Sequence, residues 1–308
     1  MPPGLFLTTM FLAAISILYP TSTLADQPKD AKVIALNNKK SFFTGLDILN
    51  KFEPCGGLSG ICVPPGSHYK RLPWGTIPKF CFENTTKPAV GDGTYCSPYD
   101  VEVYQVTYSD CAEHPVVMCR CRNASVSIHQ MQHDFAKVPV KARQYIRSVK
   151  ALWDKGCWAW NGGRHLCING PCSGLTSVYI HEVGHTMDDV LNGVSASDAW
   201  QSAVLDNDTC VPDGYADVAW TENFAQNFVV AAYHHTVKNI WKTFRVSNTP
   251  PMRANDTPLT IDCMKHQLSK MIDLTEHIFL NRTAKPTCDR NDWPDPKKSV
   301  ALVHPLKF

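Results

Sequence analysis

Two imidazoles four residues apart, His181 and His185, with the carboxylate of Glu182 between them, are the side chains in this sequence best suited to do chemistry. On a helix, positions i and i+4 lie on one face, one above the other, so both ring nitrogens can converge on a single cation. A carboxylate beside that face can take a proton from a water held by the cation. His181-Glu182-Val183-Gly184-His185 therefore reads as a catalytic zinc motif. Val178, Tyr179, Ile180, Val183 and Met187 make the surrounding helix apolar, so it belongs in a core rather than on a solvated face. Gly184 costs a helix about 1 kcal/mol relative to Ala, which makes sense where another backbone or a ligand passes close by.

A catalytic zinc needs three protein ligands and one open position. A third histidine six residues after the second is excluded, because Leu191 stands there. The best remaining ligand is Glu222, near the start of an apolar stretch, Trp220 to Tyr233, that reads as a largely buried helix. A carboxylate there must be compensated, by a metal or by the positive end of the helix dipole. Asp188 and Asp189 are expected as outer partners of the histidines or as a solvated helix end. Asp189 is the first choice, being four residues past His185 on the same face.

Val178 to Val190, taken with Tyr215 and Glu222-Asn223-Phe224-Ala225-Gln226-Asn227-Phe228, resembles the catalytic core of the anthrax lethal factor and Pro-Pro endopeptidase group of zinc metallopeptidases. The resemblance covers about 60 residues and leaves out the cysteine-rich first half. It implies Glu222 as third zinc ligand and Tyr215, seven residues earlier, as a hydroxyl aimed at the metal. Gln226 departs from the pattern, since bacterial relatives often carry a second glutamate there. An amide can hydrogen-bond a neighbour but adds no negative charge.

On this reading, Zn2+ held by His181, His185 and Glu222 activates a water, Glu182 is the general base, and Tyr215 donates to the developing oxyanion. The implied function is a secreted zinc metalloendopeptidase acting on a protein or peptide substrate. Two alternatives stand beside it: a secreted binding protein on a zincin scaffold without efficient hydrolysis, and a zinc hydrolase of a non-peptide amide.

Residues 1–25 read as a secretory signal, with an apolar run from Leu5 to Tyr19 and small residues at Thr23 and Ala25 before Asp26. Thirteen cysteines, all after that segment, fit an oxidising compartment, and their odd number leaves at least one thiol without an intramolecular partner. Asn-x-Ser/Thr sequons at Asn84, Asn123, Asn207, Asn255 and Asn281 agree with export. Cys119-x-Cys121 with His129 and His133 offers a second, weaker zinc pattern, better read as disulfide cysteines. A net charge of +2 with scattered basic residues gives no nucleic-acid surface, and no later run is long enough to span a membrane.

The elements that must position these residues predict an α+β fold. A cysteine-rich, disulfide-braced region over 26–125 precedes a zincin-like metallopeptidase domain over 126–308, with an active-site helix and a small mixed sheet. Residues 26–125 carry turn signals at Cys55-Gly56-Gly57, Val63-Pro64-Pro65-Gly66 and Pro73-Trp74-Gly75, and could instead be a pro-segment. Val101 to Tyr108 alternates as a strand. The spacing of Val140, Ala142, Tyr145, Ile146, Val149, Leu152 and Trp153 predicts a helix over 138–155. Cys157 to Cys172 predicts a hairpin or edge strand stiffened by Cys157, Cys167 and Cys172, and Met264 to Leu280 a further helix.

Overall fold

Alternation of apolar side chains along one strand divides this molecule into two cores. In a computed structural model, residues 31–50, 58, 65–86, 96–247, 258–279, 288 and 302–303 are described. The signal over 1–25, the sequons at Asn255 and Asn281, Cys55, Cys62 and the turn signal at 63–64 lie outside them. In chain order come α1 (Ala31–Asn37), β1 (Lys40–Ser41), β2 (Ser67–Arg71), β3 (Ile77–Pro78), α2 (Lys79–Thr86), β4 (Val101–Tyr108) and β5 (Val116–Cys121). Then follow α3 (Ile128–Ala136), α4 (Val140–Arg143), β6 (Ser148–Leu152), β7 (Trp158–Asn161), β8 (His165–Asn169), α5 (Thr176–Val190) and α6 (Asp198–Leu205). The last are β9 (Cys210–Val211), α7 (Trp220–Thr236), α8 (Ile240–Thr243), α9 (Lys265–Phe279) and β10 (Leu302–Val303).

The chain is α+β. Its main sheet is mixed and six-stranded, in the order β2-β4-β5-β6-β8-β7, taking strands from both sides of residue 125. β5, β6 and β8 run parallel, whereas β2, β4 and β7 pair antiparallel with their neighbours. Tyr104, Val106, Met118, Val149, Ala151, Leu166 and Ile168 point to one face and pack with residues of α3, α5 and α7. Val101, Val103, Cys119, Cys121, Leu152 and Cys167 point to the other and meet Ile77 and Cys81. Successive side chains of a strand point to opposite faces, so both sides of the central strands are dry.

The second core is braced by disulfides Cys81–Cys119 and Cys96–Cys121. Cys119 and Cys121, two apart on β5, share a face and are consumed there, so the second zinc pattern falls away. Cys111–Cys288, Cys157–Cys172 and Cys210–Cys263 complete the bridges among the described residues. Cys157–Cys172 clips the β7–β8 hairpin, with β7 as the sheet edge. Cys167 takes no part in that brace: among the described cysteines it is the free one, fully buried in the second core.

The helix expected over 138–155 is corrected. Only Val140–Arg143 is helical, and Ser148–Leu152 is the central strand β6, buried at every position. A strand covered on both faces loses its polar alternation, and its apolar run then imitates helical spacing. The buried Lys150, under the rings of Phe80 and Trp160, added to the disguise.

Two buried helices carry the motif residues. α5 starts where Asn50 reaches in from outside: its Oδ1 accepts Ser177 N–H at 2.9 Å and its Nδ2 donates to Ser177 Oγ at 2.7 Å. This satisfies helix-end groups that Leu175, at the cap position, cannot serve. α5 ends at Val190, and the chain turns away through left-handed Asn192 and Gly193. α7 crosses α5 at Gly184, where a Cβ would lie 3.1 Å from Ala225 Cα. The glycine is there for the neighbouring backbone.

Candidate metal centre

Helical periodicity sorts α7 into two polar pairs with different duties. Asn223 and Asn227 turn inward, where Trp200 Nε1 donates to Asn223 Oδ1 at 3.1 Å and Asn227 Nδ2 donates to Gln267 Oε1 at 2.9 Å. Gln267 is anchored in turn by Asp208 and the Cys210 carbonyl, tying α7 to α9. That network fixes the rotation of α7. Glu222 and Gln226, each one residue earlier, are thereby aimed at α5.

His181, His185 and Glu222 come together there. His181 Nε2 lies 3.0 Å from Glu222 Oε2, His185 Nε2 3.4 Å from the same oxygen, and the two Nε2 atoms are 3.1 Å apart. Ligands about 2.0–2.1 Å from a tetrahedral zinc would stand about 3.3 Å from one another, so this triangle has the right size for one ion. Glu182 Oε2 is buried and has no hydrogen-bond partner, and the buried Glu222 Oε2 faces the two imidazole nitrogens. A buried carboxylate oxygen without a partner is costly, and a cation beside it, held by the imidazoles and Glu222, would reduce that cost.

The electrostatics follow from burial and these neighbours. Burial pushes the Glu182 carboxyl up to about 7, against the pull of His181 and His185. Burial acts in the same sense on Glu222, but the adjoining His181 and His185 rings outweigh it and hold Glu222 down at about 2.

The triangle opens on a cleft of about 390 Å3 walled by Trp160 and Asn161 of β7, Asp189 and Tyr215. Tyr215 is half exposed, with its ring centre 5.6 Å from that of His181. β7 is latched to α5: Asn161 Nδ2 donates to the Glu182 carbonyl at 2.6 Å and to Thr186 Oγ1 at 2.8 Å. A larger cavity of about 650 Å3, beside Trp241, Arg245 and Asp262, holds a single carboxylate and neither histidine nor cysteine.

A family model described as conidiation-specific protein Con-13 matches residues 41–300. Conidiation-specific protein 13 of Neurospora crassa is 30% identical over 286 residues, covering 91% of this chain and 74% of that protein. The chain belongs to the Con-13 family. No solved structure matches it.

Membership of the Con-13 family corrects the sequence reading. The resemblance to the lethal factor and Pro-Pro endopeptidase group rested on about 60 residues around two helices, whereas the Con-13 match spans the sheet, both helices and α9. The assignment as a zinc metalloendopeptidase, with its hydrolase and protease labels, is overturned: neither the family description nor the relative's name carries protease activity. The alternative of a binding protein on a retired peptidase scaffold has no support either.

Within this Con-13 chain the outer partners also differ from expectation. Asp189 is exposed on the cleft wall, and Asp188 turns away to accept Ser195 N–H at 2.8 Å. The partner of His181 Nδ1 is Gln226 Oε1, at 3.1 Å. Gln226 in turn donates to Asp213, a residue that the sequence does not mark as part of the site. Asp213 carries no local signature, because its distance from His181 is closed only by packing.

Proposed function

We propose that this Con-13 family member is an exported metal-binding protein, with one Zn2+ held by His181 Nε2, His185 Nε2 and Glu222 Oε2 in an α+β fold of zincin type. The observation that carries the reading is the triangle of 3.0, 3.1 and 3.4 Å beside the buried Glu182 Oε2, which has no hydrogen-bond partner. Two imidazoles and one carboxylate favour zinc over the hard cations that prefer oxygen alone. Bound there, the ion would supply Lewis acidity to a ligand entering the cleft.

The chain's own groups set what that ligand meets. Glu182 Oε2 is the proton-accepting atom on the floor of the cleft, and the Tyr215 hydroxyl is the hydrogen-bond donor on its wall. Export is supported by the disulfides of both cores, which persist in an oxidising compartment. Exposed Asn123 and Asn207 are the positions at which a glycan would report passage through it.

The test is metal analysis of the purified protein beside its Glu222→Ala variant. The expected result is one chelator-removable zinc per chain in the wild type and strongly reduced affinity in the variant. A wild type that takes up no zinc, or a variant that binds it unchanged, overturns the site.

A further inference from the structure

We propose that Asp213 is a positioning residue which, acting through the side-chain amide of Gln226, holds His181 in the tautomer that can bind a metal ion. The inference rests on the zinc reading above. Asp213, Gln226 and His181 are all buried, so their hydrogen bonds have no competition from bulk water. Gln226 Nε2 lies 2.9 Å from both carboxylate oxygens of Asp213, and Gln226 Oε1 lies 3.1 Å from His181 Nδ1.

The polarity of this chain follows from what each group can do. An ionised carboxylate only accepts, so the NH2 end of Gln226 must face Asp213 and its carbonyl must face His181. A carbonyl oxygen cannot donate, so the proton of the neutral imidazole sits on Nδ1. The lone pair is then on Nε2, the atom 3.0 Å from Glu222 Oε2. In the opposite tautomer Nε2 would carry hydrogen and could not bind a cation. Metal-binding histidines commonly touch a carboxylate directly. Here an amide stands between, so the ring is oriented while the negative charge stays one side chain further away.

Asp213 has a second hold on the site. Its Oδ1 also accepts the N–H groups of Tyr215 and Ala216, both at 3.1 Å. The turn is pinned from behind, where Phe43 N–H donates to the Pro212 carbonyl at 2.7 Å. One carboxylate therefore seats Tyr215 at the cleft and fixes the proton of His181.

Asp213→Asn tests this because Gln226 Nε2 lies 2.9 Å from both oxygens, whereas the backbone N–H groups hold only Oδ1. Those N–H groups keep the new carbonyl at the Oδ1 place, so the new NH2 takes the Oδ2 place and opposes the NH2 of Gln226, donor against donor. Gln226 then has one acceptor and one repulsive contact where it had two acceptors, and its hold on the His181 ring weakens. Zinc affinity, measured by competition with a chelating dye, should fall about 10- to 100-fold, the range for loss of an outer partner. Adding Gln226→Glu to Asp213→Asn supplies an acceptor for both neighbours and should restore affinity to within about threefold of wild type. A purely structural role for Asp213 predicts no such rescue. If Asp213→Asn does not fold, Gln226→Leu keeps every turn contact of Asp213 and should show the same fall in affinity. A wild type that binds zinc while Asp213→Asn or Gln226→Leu binds it equally tightly overturns the relay alone; a wild type without zinc removes the reading beneath it.

Discussion

Gly184→Ala changes one hydrogen to a methyl at the contact that brings the two ligand helices together. The added Cβ would lie 3.1 Å from Ala225 Cα, 3.3 Å from Phe228 Cβ and 3.4 Å from Ala225 Cβ. Carbon atoms rest at about 3.5–4.0 Å, so α5 and α7 must part there by roughly half an ångström. Helix propensity returns about 1 kcal/mol in favour of alanine. Overpacking against a neighbouring backbone costs about 1–3 kcal/mol. The balance is a net loss of about 1 kcal/mol, or roughly 2–4 °C in Tm for a chain of this size. The metal site should suffer more than the fold, because Ala225 lies one turn beyond Glu222 on α7. Ligand distances in a zinc site tolerate only about 0.2 Å, so a shift of roughly half an ångström should lower zinc affinity about tenfold or more. Calorimetry of the zinc-free protein and dye competition for zinc measure the two effects separately. A variant as stable as wild type and equally avid for zinc would refute the reasoning, since alanine would then fit where the helices leave no room.

Other expectations follow from single contacts. Removing Asn161 with Asn161→Ala unlatches β7 from α5 and should cost about 1–2 kcal/mol in denaturant unfolding for two lost hydrogen bonds; no loss would mean that the edge strand holds without the latch. Burial pushes the Cys167 thiol up to about 11, so native protein near pH 8 should resist iodoacetamide at that residue and react only when unfolded, as peptide mass mapping would show. Burial, with the nearby Arg147 and Lys150 charges, depresses His165 from 6.5 to about 4. The unfolded chain then binds this proton first as pH falls, so the contribution of His165 to stability is full above about 6.5 and is lost towards 4, by up to roughly 3 kcal/mol. His165→Gln should flatten that part of the stability–pH curve, and an unchanged curve would exclude the effect. Replacing Cys210 and Cys263 by serine opens a closure of 53 residues and should cost about 4 kcal/mol on the chain-entropy account, measured by thermal unfolding.

Local pattern was enough for some features and misleading for others. The spacing of residues 265–279 stood out because one face meets the core and the other does not. Val101–Tyr108 stood out because half-buried Glu102, Gln105 and Thr107 interrupt its apolar residues, although its two faces meet different cores. Ser148–Leu152 was illegible for the opposite reason, being covered on both faces. The family was misread because His181-Glu182-Val183-Gly184-His185 and the α7 helix form a short local signature, while the Con-13 match runs over most of the chain.

Sequence alone placed His181 and His185 on one helix face with Glu182 beside it, since that depends only on a period of 3.6 residues. It also determined that α7 would be buried, and that its glutamate would need compensation. The packing of α5 on α7 is what places three candidate ligand atoms within 3.4 Å of one another. Tertiary structure decided also that Gln226, a departure from the expected pattern, joins His181 to Asp213. The physical reason is range: a helix face is fixed by neighbours in sequence. The separation of two helices is fixed by a glycine on one, a buried amide network on the other, and the sheet beneath them.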